Sequence, residues 1–558
     1  MERAIRELAE GHFDLLVIGG GINGLVIAWE ASLRGLHVAL VEREDFGAKT
    51  SSASLKIVHG GLRYLQHLDL RRMRESIRER STLLHVAPHL VYPLPFLVPT
   101  YGHLLKGPEL MAAAVIANEI ISLDRNQFLR DPARRLPCGR IFIPRAECRG
   151  LVPGLPEKGL NGGVLFYDAQ MYSAERLNMA FALSAAEQGA VLVNYAEVTG
   201  FERQGGRITA AVVRDAINGG EFGIPADVYV NATGPWSDIV LGLLESRPPP
   251  RVVRRSKGIQ IVAPPLTRGT AVALPSRHRD PAALFSRGTR HYFITPWRGV
   301  SLIGTTDTVY EGDPDHFRIT RDDIREFVTE VGQILPSAKL DPDSIPFAFG
   351  GLRPITEKNI EAATTTARKY EINDHRKDPD RGNLITVIGV KYTTCRLLAE
   401  KVINLVFRKM NRRGPLSRTA RTPLVGGEID DWQRFVSDME ERWAGRLPSG
   451  AIRHMAHCYG TRAREVAGLA QENGDLAQLV PGSDEVIAAQ VVHAVRAESA
   501  VRLADVVMRR TDLGSKGHPG RAALEFTARL MARELGWSDA RLRHEIADTE
   551  RLFVFTPG

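Results

Sequence analysis

The hydrophobic pattern of the first forty residues alternates between strand and helix. An apolar run from Phe13 to Ile18, bounded by glycines, has the continuous hydrophobicity of a buried strand. Ala28 and Ala31 then fall on one side of a helix that Gly35 stops, and a second apolar run, Val38 to Val41, ends on Glu42. Two later runs lead into small or hydroxyl residues. Val228 to Val230 precedes Asn231-Ala232-Thr233-Gly234-Pro235-Trp236. Leu384 to Ile388 precedes Gly389, Lys391-Tyr392-Thr393-Thr394 and a helix bearing Leu397, Leu398 and Val402. Strand-like stretches such as Gly258 to Val262 and Tyr292 to Thr295 lie between them. Past residue 415 the period turns helical: Leu524, Ala528, Met531 and Leu535 recur on one face until Gly536.

Gly19, Gly21 and Gly24 form GxGxxG between the first strand and the first helix, with Glu42 about 20 residues further on. Gly19 allows the tight turn, Gly21 lets the backbone approach a pyrophosphate, and Gly24 lets helix and strand pack closely. The helix N-terminus offers N–H groups to phosphates, and Glu42 can accept hydrogen bonds from a ribose hydroxyl. An acid at that position disfavours a ribose phosphate, hence NADP. A chain that returns to one site from positions near 20, 230 and 390 matches large FAD domains better than compact NAD domains. The expected fold is α/β: a discontinuous Rossmann-like FAD-binding domain (10–100, 160–245, 345–410), a mixed-sheet substrate or cap domain (101–159, 246–344) and a C-terminal helical domain (415–558).

With 558 residues there is room for two to four domains. The net charge of +8 suits an acidic partner, a phosphorylated substrate or an anionic phospholipid surface, and equally an ordinary basic surface. No basic run with interleaved aromatics points to nucleic acid. Cys138, Cys148, Cys395 and Cys458 show neither CxxC spacing nor a Cys/His cluster, so no metal site and no disulfide framework are expected, and a reducing compartment is. The charged start runs straight into a strand, so no signal peptide is expected. The stretch nearest to a membrane span, Leu110 to Ile121, is short and contains Asn118 and Glu119.

The run Thr50-Ser51-Ser52-Ala53-Ser54-Leu55-Lys56-Ile57-Val58-His59-Gly60-Gly61-Leu62-Arg63-Tyr64-Leu65 closely resembles the signature of the FAD-dependent glycerol-3-phosphate dehydrogenases, within the D-amino-acid-oxidase-like superfamily. NATGPWSD from Asn231, IGTTDT from Ile303, GGLRPI from Gly350, GVKYTTCRLLAE from Gly389 and ESAVRLADVVMRRTDLG near the C-terminus extend the resemblance over nearly the whole chain. Leu55 and Val390 depart from the family's usual small residue and glycine. After Tyr167-Asp168-Ala169-Gln170, Ser173-Ala174-Glu175-Arg176-Leu177 departs from its Asp or Asn-Asp pair. The resemblance implies oxidation of glycerol 3-phosphate by hydride transfer to FAD.

For a phosphate, Arg63 and Arg353 are the first candidates, because guanidinium binds it bidentately, with Lys391 nearby. Both arginines follow Gly-Gly-Leu, read here as two sharp turns; a structural ion pair is the competing role for each. The resemblance adds Tyr64 to the pocket. His59 is the candidate base, poised near neutral pH, and Lys391 is the rival, since a lysine buried among cations can lose its proton. Thr50, Ser51 and Ser52 are expected on flavin phosphate or ring atoms, and Ala232, Thr233, Gly234, Gly389 and Thr393 on the cofactor. Trp236 is open between packing and cofactor contact.

Tyr92 to Pro99 and Leu104 to Ile121, flanked by Lys106, Arg125 and Arg130, read either as cap-domain core or as a monotopic membrane anchor. The resemblance tips this toward a cytoplasmic protein bound peripherally to the inner face of the cell membrane, with quinone as acceptor. The oligomeric state stays open, a homodimer among the options. A relative acting on an amine or another hydroxy acid, and a flavin-binding scaffold without turnover, are the alternatives.

Overall fold

The computed structural model describes residues 1–103, 107–244, 253–279, 289–355, 370–378, 381–389 and 391–556; Lys106 and Val390 lie outside them. Continuous apolar strands demand cover on both faces, which parallel sheets provide. Phe13–Ile18 lies inside the first sheet, with Glu221–Asn231 on one side and Val38–Val41 on the other, both parallel to it. Leu384–Ile388 and Val191–Val193 extend it outward, again in parallel. Leu15, Val17, Val230 and Ile385 are fully buried. Helices Ile22–Leu33, Ala174–Glu187 and Cys395–Lys409 pack together over one face, where Trp29 meets Phe181 edge-on at 5.4 Å. The antiparallel hairpin Ala196–Gln204 and Arg207–Asp215 covers the other.

The second sheet is mixed. Arg254–Ala263 pairs antiparallel with Val300–Gly304 and Ala348–Ile355, whereas Val91–Tyr101 runs parallel to Ala271–Arg279 and antiparallel to Leu160–Met171. Its membership departs from the expected segment limits, which assign 91–100, 160–171 and 348–355 to the cofactor domain. Apolar period reveals burial but not the partner strand, so it cannot mark where the chain changes sheet. The first crossing is at Ile57–Val58, which pairs with Leu160–Met171 directly before His59.

Helices Trp432–Trp443, Ser449–Tyr459, Ala463–Glu472, Ala488–Ala497, Arg521–Leu535 and Asp539–Glu550 make up the C-terminal region, and Gly536 ends the fifth in the left-handed conformation (φ 66°). This region docks through buried ion pairs. Arg176 forms a fork on Glu498 at 2.7 and 2.8 Å, and Arg510 another on Asp45 at 2.7 and 2.8 Å. Burial by itself would raise the Glu498 carboxyl; Arg176 outweighs it and holds the group at about 2. Among the described residues, no helix is long and apolar enough to cross a membrane.

Candidate active site

The C-terminal ends of three neighbouring parallel strands release Gly19, Ala232 and Gly389 side by side, and all three line one elongated cavity of about 730 Å³. At Gly19 the backbone is left-handed (φ 106°). A side chain at Gly24 would collide with the Gly19 carbonyl oxygen, so the helix rests directly on the turn. Gly21 stands at the start of that helix and, as a glycine, gives it no side-chain cap of its own. Ser51 Oγ accepts the Ile22 N–H at 2.9 Å, and the buried Asn23 Oδ1 has no hydrogen-bond partner among the described residues. Glu42 accepts the N–H groups of Gly20 (2.6 Å) and Glu44 (2.9 Å); burial raises its carboxyl above the ordinary value against those bonds. A helix start whose N-cap is a glycine, an orphaned amide oxygen and a carboxylate at the next strand's end fit a dinucleotide.

The hydroxyls near residue 50 are less uniform than expected. Thr50 Oγ1 donates to the Leu352 carbonyl at 2.7 Å and Ser52 Oγ to the Lys49 carbonyl at 2.8 Å, so both shape the loop itself. Thr50 and Ser51 line the cavity; Ser52 does not. Ala232, Thr233, Gly234 and Trp236 line it too. Trp236 Nε1 donates to Asp315 at 2.6 Å, and the Arg43 guanidinium lies 5.0 Å from its ring centre.

A cationic group lines the same cavity: His59, Arg63, Tyr64, Arg353, Lys391 and Thr393. Lys391 Nζ donates to the Tyr64 hydroxyl and lies 4.5 Å from the centre of that ring, while His59 meets the ring edge-on at 6.1 Å. The His59 N–H donates to Thr393 Oγ1 at 3.3 Å. Burial, then the charges of Lys391, Arg80 and Arg63, push the His59 imidazole down to about 3. Burial and Arg63 bring the Lys391 ammonium down to about 8. At neutral pH His59 is therefore neutral and Lys391 mostly charged.

The two Gly-Gly-Leu-Arg segments are not two turns. Gly61 is left-handed (φ 84°) and opens the 3-10 helix Leu62–His67, as a turn should. Gly350 and Gly351, by contrast, lie inside strand Ala348–Ile355, paired with Ile259 and Gly258. Close packing explains those glycines: a side chain at Gly351 would come within 2.8 Å of Ala53 Cβ, and one at Gly350 within 2.7 Å of Ile319. Gly258 leaves room for the Arg353 guanidinium, which donates to Thr305 Oγ1 at 2.6 Å. Thr305, Gln260 and Asp168 also line the cavity and carried no role in the sequence reading, although IGTTDT and Tyr167-Asp168-Ala169-Gln170 stood out as segments.

A doubly wound, dinucleotide-binding sheet interrupted by a mixed sheet, with a cationic pocket where they meet, defines a flavoprotein oxidoreductase. Residues 14–370 match the FAD dependent oxidoreductase family, and residues 417–542 match the C-terminal domain of alpha-glycerophosphate oxidase. The glycerol-3-phosphate dehydrogenase of Synechocystis sp. is 34% identical over 554 residues, 98% of this chain and 97% of that protein. The human mitochondrial glycerol-3-phosphate dehydrogenase is 32% identical over 576 residues, 97% of this chain and 73% of that protein. The X-ray structure of the Bacillus halodurans glycerol-3-phosphate dehydrogenase complexed with FAD matches with a TM-score of 0.77 and 25% identity, covering 99% of this chain and 96% of that one. The chain belongs to the FAD-dependent glycerol-3-phosphate dehydrogenase family, and FAD is its cofactor.

Gly24→Ala tests the cofactor end. The added methyl group has the Gly19 carbonyl in its way, so the helix must lift off that turn. The purified variant should carry at most about a tenth of the wild-type flavin absorbance per protein, a loss of about 1.4 kcal/mol or more in binding at limiting FAD.

Proposed function

We propose that this protein oxidises sn-glycerol 3-phosphate to dihydroxyacetone phosphate and passes the electrons to a quinone at a membrane surface. The observation that carries the substrate is the meeting of Arg63, Arg353 and Lys391 on the cavity that Gly19, Gly21 and Glu42 also line. Arg63 and Arg353 hold the phosphate, each charge-assisted hydrogen bond contributing about 1.5–3 kcal/mol. Lys391, already in contact with Tyr64, adds charge beside the substrate oxygens. His59 is neutral and so free to accept the hydroxyl proton. A bound phosphate dianion among these cations raises its basicity during turnover. When bound, FAD supplies the two-electron acceptor for the hydride that leaves the carbinol carbon. Gly19, Gly21, Asn23, Glu42 and Ser51 are the residues that would hold the dinucleotide.

The acceptor and the membrane rest on the surface around helix Pro108–Ile121. Ile116 and Ile120 on that helix, Leu123 and Phe128 beyond it, and Leu68 and Leu70 are large apolar residues left in solvent; Leu123 is 80% exposed. Arg74 ties the neighbouring helix Leu70–Val86 to this surface, donating to the Ile121 carbonyl, and Arg71 and Arg130 are exposed near it. Apolar anchors ringed by cations suit an anionic bilayer. Tyr92 to Pro99, in contrast, sits in the second sheet with Leu94, Phe96 and Leu97 buried, so that stretch is core. Met111 of helix Pro108–Ile121 packs against the buried cluster that contains Phe96 and Phe166, and both of these also line the cavity. Molecular oxygen is the second reading for the acceptor, favoured by the match to an oxidase's C-terminal domain.

Anaerobic glycerol 3-phosphate should bleach the flavin absorbance, and glycerol at equal concentration should not; equal bleaching removes the phosphate from the reading. Arg353→Lys keeps the charge but loses the fork, and should raise the apparent substrate constant about tenfold, roughly 1.4 kcal/mol. Arg353→Ala should raise it by about a hundredfold or more with flavin content unchanged.

The pH dependence follows from Lys391. Its depressed folded value means that the ammonium is lost as pH rises through about 8, so KM for glycerol 3-phosphate should climb above that pH. Lys391→Arg retains its charge, and the climb should vanish from the range up to pH 10.

Turnover with a soluble quinone analogue should exceed turnover with oxygen by about tenfold or more, a gap of about 1.4 kcal/mol in barrier. The protein should sediment with anionic vesicles, less so in high salt, and Ile120→Glu with Leu123→Glu should abolish sedimentation. Peroxide formed at a comparable rate without vesicle binding makes the protein a soluble oxidase.

A further inference from the structure

We propose that Asp168, backed by Arg80, is a positioning residue for His59, a role that rests on His59 being the proton acceptor. His59 stands at the crossing between the two sheets, and the N–H groups on both sides of it are caught by side chains. Its own N–H reaches Thr393 Oγ1, which follows the first sheet's strand Leu384–Ile388. The next N–H, of Gly60, donates to Asp168 Oδ1 at 2.5 Å, on the second sheet's strand Leu160–Met171. Arg80, from helix Leu70–Val86, donates to the same oxygen at 2.5 Å and to the Tyr167 carbonyl at 2.9 Å. Asp168 and Arg80 are 5% and 1% exposed. The turn is moulded on this pair: a side chain at Gly60 would strike the Arg80 guanidinium and come within 3.1 Å of Asp168 Oδ1.

The pair also sets the charge that the imidazole meets. His59 faces Lys391 from the loop after Leu384–Ile388, Arg63 and Tyr64 from the 3-10 helix, and Arg80 from behind. The carboxylate of Asp168 opposes the last of these cations. Without it, an imidazolium formed by taking the substrate's proton meets an unopposed Arg80. Asp168 thus fixes the backbone on which His59 rides and keeps the ring basic enough to accept that proton.

The test uses the FAD-loaded full chain and glycerol 3-phosphate, with kcat, KM and flavin content measured across pH. Asp168→Asn keeps an oxygen for the Gly60 N–H and removes the charge. It should lower kcat about tenfold or more, leave KM within about threefold and flavin content unchanged, and move the acid limb of kcat to lower pH. Arg80→Met combined with Asp168→Asn removes both charges and should bring the limb back toward its wild-type position. An acid limb unmoved in Asp168→Asn, or flavin lost in step with activity in both variants, overturns the proposal. His59→Gln separates it from the reading beneath. A limb that survives His59→Gln overturns both; a limb lost there but unshifted in Asp168→Asn overturns the positioning role alone.

Discussion

Holding several positive groups together around one cavity is the constraint on which the rest of this structure depends. Like charges spaced along one helix repel and destabilise it. Here each cation is delivered by a different element, and Arg353, Lys391 and Arg80 each find a separate polar contact. Arg63 comes from the 3-10 helix, Arg353 from strand Ala348–Ile355 with Thr305 beside it, Lys391 from the loop after Leu384–Ile388 with Tyr64 beside it, and Arg80 from helix Leu70–Val86 with Asp168. A chain that passes from one sheet to the other at Ile57–Val58 is what makes such a convergence geometrically available. The electrostatic demand of clustering these cations and the crossing of the chain between sheets are in this sense one requirement.

The segment from Glu42 to Val58 is the joint that transmits this arrangement. Its start receives the Gly20 amide on Glu42, and its middle is pinned by Ser51 to the helix Ile22–Leu33 and by Thr50 to Leu352. Lys56 is fully buried and pairs with Glu175 at 2.6 Å, and Asp45 is gripped by Arg509 and Arg510 from the C-terminal region. A buried pair of this kind is weak evidence for stability, yet removing either partner alone typically costs 3–5 kcal/mol. The helical region therefore governs how the cofactor loop is presented although its own residues do not line the cavity. Glu175, where the chain departs from the family's pattern, is the partner of Lys56.

The cofactor turn was legible because its logic is local: Gly19, Gly21, Gly24 and Glu42 act within one strand–helix–strand unit, and each glycine has a contact that a side chain would spoil. The convergence of 20, 230 and 390 could also be read, since strand ends in a parallel sheet face one way. What escaped depends on partners remote in sequence. The same four residues, Gly-Gly-Leu-Arg, make a turn at 60 and a strand at 350, and only the register of Gly351 against Gly258 separates them. Lys56–Glu175 and Arg510–Asp45 join residues 119 and 465 positions apart. No periodicity announces such pairs, nor which sheet a strand joins. Asp168 was visible as part of a segment but silent as to role, because its partners come from Gly60 and Arg80.

The distance between Asp45 and Arg510 bears on how the molecule comes into being. A nascent chain displays Phe13–Ile18 and Val38–Val41 early, but the sheet waits for Leu384–Ile388, and Asp45 waits a further stretch of synthesis for its guanidinium. Topologies built from such remote pairings fold slowly and expose unfinished apolar edges on the way. Cofactor capture then waits until strand Leu384–Ile388 and the cavity residues Lys391 and Thr393 that follow it have been made. Free FAD present at that moment favours the finished fold by mass action.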